Sequence, residues 1–140
     1  MTIVLHQPKE VLAMKSLVAM AKEARKKAYA PYSKFKVGAA LESLDGRVFL
    51  GCNVENASYG ATCCAERVAL HKAVSEGIKK FRRIAIVANT PKPCPPCGIC
   101  RQALHEFSPK LEVIMANTRG KILTARLSDL LPLAFRKNGK

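Results

Sequence analysis

Two short segments constrain this chain more than anything else in it. They are Asn53-Val-Glu-Asn-Ala-Ser-Tyr-Gly-Ala-Thr-Cys-Cys-Ala-Glu-Arg67 and Pro96-Cys-Gly-Ile-Cys-Arg-Gln102. Each closes a polar or proline-rich loop and runs into an apolar pattern at helical spacing, so each places thiols at a predicted helix start. There the free N–H groups and the positive end of the dipole favour thiolate, the form that binds metal. The first segment offers Cys64-x-Glu66 and the second Cys97-x-x-Cys100. Three thiolates can hold one ion and leave a fourth position for water, with a carboxylate beside it to move protons. That is the layout of a catalytic zinc site.

A closed, structural zinc site is the alternative, with Cys94 or Cys63 as the fourth sulfur, because Cys94-Pro-Pro-Cys97 is itself a Cys-x-x-Cys. Cys63 adjoins Cys64 and on a helix would point about 100° away. Closure would also leave Glu66 without a purpose. Cys52 reads as a small apolar residue near a strand end. Three thiolates leave the metal centre with a net negative charge, and Arg67 is a candidate to offset it by hydrogen-bonding a sulfur. Gln102 is a candidate for similar support. For both, an ordinary solvated helix residue is the competing reading.

Taken in order, Val11, Met14, Leu17, Val18, Ala21, Ala24 and Ala28 keep one apolar face, predicting a helix from Pro8. Phe35, Val37, Ala39 and Leu41 alternate as a strand. Asp45-Gly46 then turns the chain into an antiparallel strand over Arg47 to Cys52. After a loop from Asn53 to Ala61, Thr62 is expected to cap a helix running to Glu76, with Gly77 as its stop. Ile84-Ala-Ile-Val87 marks a buried strand within Arg82 to Ala88, and the proline-rich stretch Asn89 to Pro96 cannot be regular. A short helix over Gly98 to Phe107, strands over Leu111 to Ala116 and Lys121 to Leu127, and a last helical turn from Ser128 or Asp129 complete the pattern. The order α-β-β-α-β-α-β-β-α predicts an α/β fold of three layers, a central mixed five-stranded sheet with helices on both faces. The length of 140 residues suits one domain, 1–140.

No apolar run approaches the roughly 18 residues that span a bilayer. Residues Met1 to Glu10 lack the features of an export signal. Six clustered cysteines read as metal ligands that need a reducing compartment, so a cytoplasmic location is expected. The net charge of +14 admits a polyanion partner. The basic residues are scattered, however, as Arg25-Lys-Lys27, Lys79-Lys80, Arg82-Arg83 and Arg136-Lys137, without interleaved stacking aromatics. That scatter favours a solvated surface over a nucleic acid interface.

Beyond these residue-level readings, the chain resembles the zinc-dependent cytidine deaminases of the small, homotetrameric type. The likeness runs through Ala28-Tyr-Ala-Pro-Tyr-Ser-Lys-Phe-Lys-Val-Gly-Ala-Ala40, Gly51-Cys-Asn-Val-Glu-Asn-Ala57, Cys64-Ala-Glu-Arg67, Ala73-Val-Ser-Glu-Gly77, Pro96-Cys-Gly-Ile-Cys-Arg-Gln102 and Leu130-Leu-Pro132. The resemblance implies one Zn²⁺ per chain on Cys64, Cys97 and Cys100, with Glu66 shuttling protons from water to the cytosine N3 and then to departing ammonia. It implies that Asn53 and Glu55 bind the ribose, that Phe35 packs near the base and that the main chain at Ala65 and Glu66 reads the pyrimidine edge. Ala57, Tyr59 and Phe135 would complete a neighbouring subunit's pocket. The implied activity is deamination of cytidine and deoxycytidine to uridine and deoxyuridine, in pyrimidine salvage. The alternatives are a blasticidin-type deaminase of another aminopyrimidine nucleoside, or one acting on RNA. From a different class, a zinc-stabilised module without catalysis stands against Glu66. The chain departs from the family pattern at Leu133, where a glycine is usual, at Ile99, where alanine is common, and in Cys63, Cys94 and its high basic charge.

Overall fold

The computed structural model describes residues 7–137. Residues 1–6, which hold most of the stretch read above for an export signal, and residues 138–140 lie outside the described residues. The elements are α1 (Pro8–Arg25), β1 (Val37–Ser43), β2 (Val48–Cys52), α2 (Ala65–Ser75), β3 (Phe81–Ala88), α3 (Gly98–His105), β4 (Glu112–Asn117), β5 (Ile122–Arg126) and α4 (Leu127–Leu130). A 3-10 turn at Tyr59–Ala61 precedes α2. The five strands form one sheet in the order β2-β1-β3-β4-β5. Only β3 and β4 pair in parallel; the other pairs are antiparallel. The mixed sheet with helices on both faces is the α/β architecture expected from the sequence.

Alternation along the strands sorts the core into two layers, because successive side chains point to opposite faces. Ala39, Leu41, Ile84, Ile86, Val113 and Met115 pack with Ala69 and Leu70 of α2 and Leu104 of α3. Ala40, Ala85, Val87, Ile114 and Ala116 face the other way, onto Met14, Leu17 and Ala21 of α1. Strand direction then decides where the helices begin. Both β2 and β3 run antiparallel to β1, so they point the same way and end at the same edge of the sheet. α2 follows one and α3 the other, on the same face, so their first turns meet at that edge.

Two glycines set how closely the helices approach. A Cβ at Gly51 of β2 would stand 2.3 Å from the Ala65 carbonyl oxygen and 2.7 Å from the Ala69 nitrogen, both in α2. One at Gly38 of β1 would stand 2.0 Å from the Ala21 carbonyl oxygen of α1. Backbone-to-backbone packing of this kind admits no side chain.

Several boundaries differ from expectation, each for a local reason. α1 ends at Arg25 rather than Ala28, because Lys26, Lys27 and Ala28 bond back three residues instead of four and tighten into turns. β1 begins at Val37 rather than Phe35, because Lys34 adopts a left-handed conformation (φ 60°) that ends a turn just before it. Cys64, not Thr62, occupies the N-cap of α2. Thr62 instead accepts a hydrogen bond from the Asn56 N–H at 3.1 Å, and Cys63 is held extended against Val54. α2 ends at Ser75 and Gly77 follows in the left-handed conformation (φ 88°), the stop expected there. α3 ends at His105 rather than Phe107, and α4 starts at Leu127 rather than Ser128 or Asp129.

The Gly51 contact generates a prediction. Gly51→Ala must push the first turn of α2 off the sheet, so it is expected to destabilise the fold by about 1–3 kcal/mol. Urea unfolding of the two proteins side by side measures this.

Candidate active site

Cys97 is the N-cap of α3, Cys64 the N-cap of α2, and Cys100 lies in the first turn of α3. The meeting of these two turns gathers the thiols. The sulfurs of Cys64, Cys97 and Cys100 all lie within 4.8 Å of one another, and those of Cys64 and Cys97 are 3.8 Å apart. A tetrahedral zinc–thiolate centre with bonds of about 2.3 Å has an edge of about 3.8 Å, so the donor set fits that ion in element and in spacing. Neither Cys63 nor Cys94 belongs to this group of described residues. Cys63 sits on extended backbone beside Cys64, where neighbouring side chains diverge.

The electrostatics suit a metal as well. A hydrogen bond from Cys100 holds the Cys64 thiol well below the ordinary thiol range, with Arg67 and Cys97 acting in the same direction against burial. Cys100 is correspondingly pushed up by that shared proton and by burial. Arg67 reaches the Cys64 sulfur at 3.5 Å and the Thr62 carbonyl at 3.5 Å, so the cation expected beside a sulfur is in contact with one. Burial pushes the Glu66 carboxyl up to about 7. A cation held at the sulfurs would oppose that rise.

Glu66, only 4% exposed, lines a cleft of about 300 Å³ together with Ser33, Phe35, Val37, Asn53, Glu55, Thr62, Cys64, Ala65, Ile86, Cys94, Pro95 and Cys97. Seven of the site candidates read from the sequence therefore converge on the cleft together with Glu66: Phe35, Asn53, Glu55, Cys64, Ala65, Cys94 and Cys97. Asn53 and Glu55 lie two apart on an extended segment and share its cleft side, while Val54 between them is 44% exposed. Phe35 lies ahead of β1 and opens to the cleft rather than joining the core.

The remaining candidates lie elsewhere. Ala57 is exposed in the loop before the 3-10 turn, and Tyr59, in that turn, is 82% exposed. Phe135 is 74% exposed beside His105 and Pro109, away from the cleft of its own chain. Gln102 does not approach the sulfurs through a hydrogen bond of its own; its amide donates to the Phe135 carbonyl at 3.1 Å and tethers the C-terminal segment. Leu133 stands where the resemblance expects glycine, and its φ of 52° is the left-handed conformation that glycine adopts without a Cβ penalty.

Some residues that shape the site were assigned no role from the sequence. Arg101 donates to the Pro96 carbonyl at 2.8 Å and to the Leu130 carbonyl at 2.7 Å, clamping the thiol loop to α4. Buried Asn117 donates to the Thr90 and Pro91 carbonyls at 3.0 and 3.2 Å, pinning the start of the proline-rich loop to the end of β4. Read locally, Asn117 is a turn residue; its partners are remote in sequence.

Comparison with known proteins bears on this geometry directly. A family model described as the cytidine and deoxycytidylate deaminase zinc-binding region matches residues 13–116. The chain belongs to the zinc-dependent cytidine deaminase family. A cytidine deaminase from Sporosarcina psychrophila is 48% identical over 125 residues, 89% of this chain and 92% of that protein. Another, from Halalkalibacterium halodurans, is 52% identical over 120 residues, 85% of this chain and 91% of that protein. The crystal structure of a cytidine deaminase from Burkholderia pseudomallei superposes with a TM-score of 0.84 at 53% identity, covering 86% of this chain and 98% of that one. Zinc is therefore the cofactor of the family, and the three-sulfur group is the place among the described residues that can hold it.

Arg67 yields the second prediction. Arg67→Gln removes the cation from the Cys64 sulfur, and zinc affinity is expected to fall about 10-fold or more. Competition with a chromogenic chelator reads that loss without reference to turnover.

Proposed function

We propose that this protein, as one domain over residues 1–140, deaminates cytidine and deoxycytidine hydrolytically to uridine and deoxyuridine, releasing ammonia. The carrying observation is the buried Glu66 carboxyl in the cleft onto which the Cys64 and Cys97 thiols open. Cys64, Cys97 and Cys100 would hold the zinc, which when bound would supply a Lewis acid that makes water a stronger nucleophile. Glu66 takes a proton from the attacking water and hands it to the cytosine N3 as the water oxygen bonds to C4. It then takes the second proton, from the hydroxyl now on C4, and delivers it to the amine as the C4–N bond breaks, leaving a C4 carbonyl and ammonia. One group acting first as base and then as acid needs a partly dry site, which the burial of Glu66 supplies.

The main chain at Ala65 and Glu66 faces the pyrimidine edge, Phe35 packs near the base, and Asn53 and Glu55 take the sugar. Ala65 is fully buried at the start of α2, so its backbone is held rigidly there. Arg67 offsets the negative charge of the three thiolates, and Gln102 supports the site at one remove by fixing the segment that bears Phe135. The exposure of Tyr59 and Phe135 supports a homotetramer in which Ala57, Tyr59 and Phe135 complete a neighbour's pocket, since large aromatics left in water favour a partner surface.

A place in pyrimidine salvage and in the cytoplasm completes the reading. No described helix is long and apolar enough to cross a membrane, and a three-thiolate site persists in a reducing compartment. A deaminase of another aminopyrimidine nucleoside has less support, because the relatives near half identity carry the cytidine deaminase name.

Glu66→Ala tests the proton shuttle. The variant is expected to keep about one zinc per chain, since Glu66 is not a ligand, while turnover falls by about 10²–10⁴-fold. Metal analysis and the loss of cytidine absorbance on the same samples measure both. Undiminished turnover in the variant would sink the mechanism.

A further inference from the structure

The wall of the cleft opposite the thiols is built by hydrogen bonds that leave little to spare. Asn53 accepts from the Val37 N–H at 2.8 Å and donates to the Phe35 carbonyl at 2.8 Å, bracketing the backbone on either side of Lys36. Oε1 of Glu55 accepts from the Tyr32 and Ser33 N–H groups, each at 3.0 Å. Oε2 of Glu55 accepts the Ser33 hydroxyl. That hydroxyl in turn accepts from the Phe35 N–H at 3.0 Å. The Ser33 proton is directed to Glu55, because an ionised carboxylate can only accept. These donors, the Ser33 hydroxyl foremost, hold the Glu55 carboxyl below its ordinary range.

A carboxylate offers about four lone-pair sites. Two on Oε1 and one on Oε2 are filled, which leaves a single acceptor site on Oε2, beside the Ser33 hydroxyl. Both residues line the cleft. We propose that Ser33 is a positioning residue that makes Glu55 an acceptor for one, and only one, hydroxyl of the substrate's sugar. By filling one lone pair of Oε2 it fixes the direction of the other. Through Phe35 the same hydroxyl ties the sugar wall to the aromatic beside the base. The inference rests on the assignment of Glu55 to the sugar.

The test measures kcat and KM for cytidine, 2′-deoxycytidine and 3′-deoxycytidine with the zinc-loaded wild type and the variants Ser33→Ala, Ser33→Thr and Glu55→Gln. In the wild type, removing one of the two sugar hydroxyls is expected to raise KM about tenfold, the loss of one hydrogen bond to a charged group, and removing the other to leave it nearly unchanged. Ser33→Ala should raise KM for cytidine about tenfold with kcat within about twofold, and should erase most of the difference between cytidine and the sensitive deoxynucleoside. Ser33→Thr, which keeps the hydroxyl, should restore both. Equal KM increases on all three substrates in Ser33→Ala would mean general loosening and overturn the proposal, as would a wild type equally sensitive to both hydroxyls, a readout that needs no variant to fold. If Glu55→Gln leaves KM unchanged, the assignment of Glu55 to the sugar fails. If Glu55→Gln raises KM and Ser33→Ala does not, only the role of Ser33 falls.

Discussion

Everything at this site depends on two helix N-termini meeting at one edge of a sheet. Thiolates so close together repel, and in an unfolded chain nothing would gather them. Here β2 and β3 point the same way, α2 and α3 start from their ends, and Gly51 lets the first turn of α2 settle onto the strand. The free N–H groups of both turns then lie beside Cys64, Cys97 and Cys100, and Arg67 adds a cation at 3.5 Å from the Cys64 sulfur. Hydrogen-bond donors, helix dipoles and a guanidinium together offset what the sulfurs alone would resist. Metal binding then adds to folding stability, because the ion joins two helices that are separate in sequence.

The opposite wall of the cleft is organised by different means. It has no regular secondary structure between α1 and β1, yet it is well braced. Glu55 holds the backbone at Tyr32 and Ser33, and Asn53 holds it at Phe35 and Val37. The extended strip around Val54 is in turn bridged to Tyr29 on one side and Cys63 on the other. One continuous strip of backbone therefore connects the cleft-lining Asn53 and Glu55 to the N-cap thiol. Polar residues that look available for a ligand are in fact mostly spent on the fold, and specificity lies in the few acceptor and donor positions left over.

Much of this was legible in the sequence, for identifiable reasons. Alternation in Phe35 to Leu41, the short apolar run Ile84 to Val87, helical spacing in α1, and glycines at turns are local signals, and the corresponding elements appear in the expected order. Cys64-x-Glu66 and Cys97-x-x-Cys100 were legible because their chemistry and their place at helix starts are both written within a few residues. The N-cap of α2 was misplaced at Thr62 because a threonine there satisfies every local rule. Its hydroxyl went to Asn56 because the 3-10 turn and the Val54–Cys63 bridge fold the loop back on itself.

Sequence alone determined the layering of the fold, a cluster of candidate metal-binding thiols with a carboxylate beside it, and the family, since each is carried by residue type and short spacing. Tertiary structure decided the rest. It excluded Cys63 and Cys94 from the three-sulfur group, placed Arg67 against a thiol, turned Gln102 toward the Phe135 carbonyl, and revealed Ser33, Arg101 and Asn117 as braces. The physical reason is common to all of these. A hydrogen bond acts over about 3 Å in space and ignores separation along the chain, so which of several chemically equal partners it joins is set only once the strands have fixed their directions and the helices their distances.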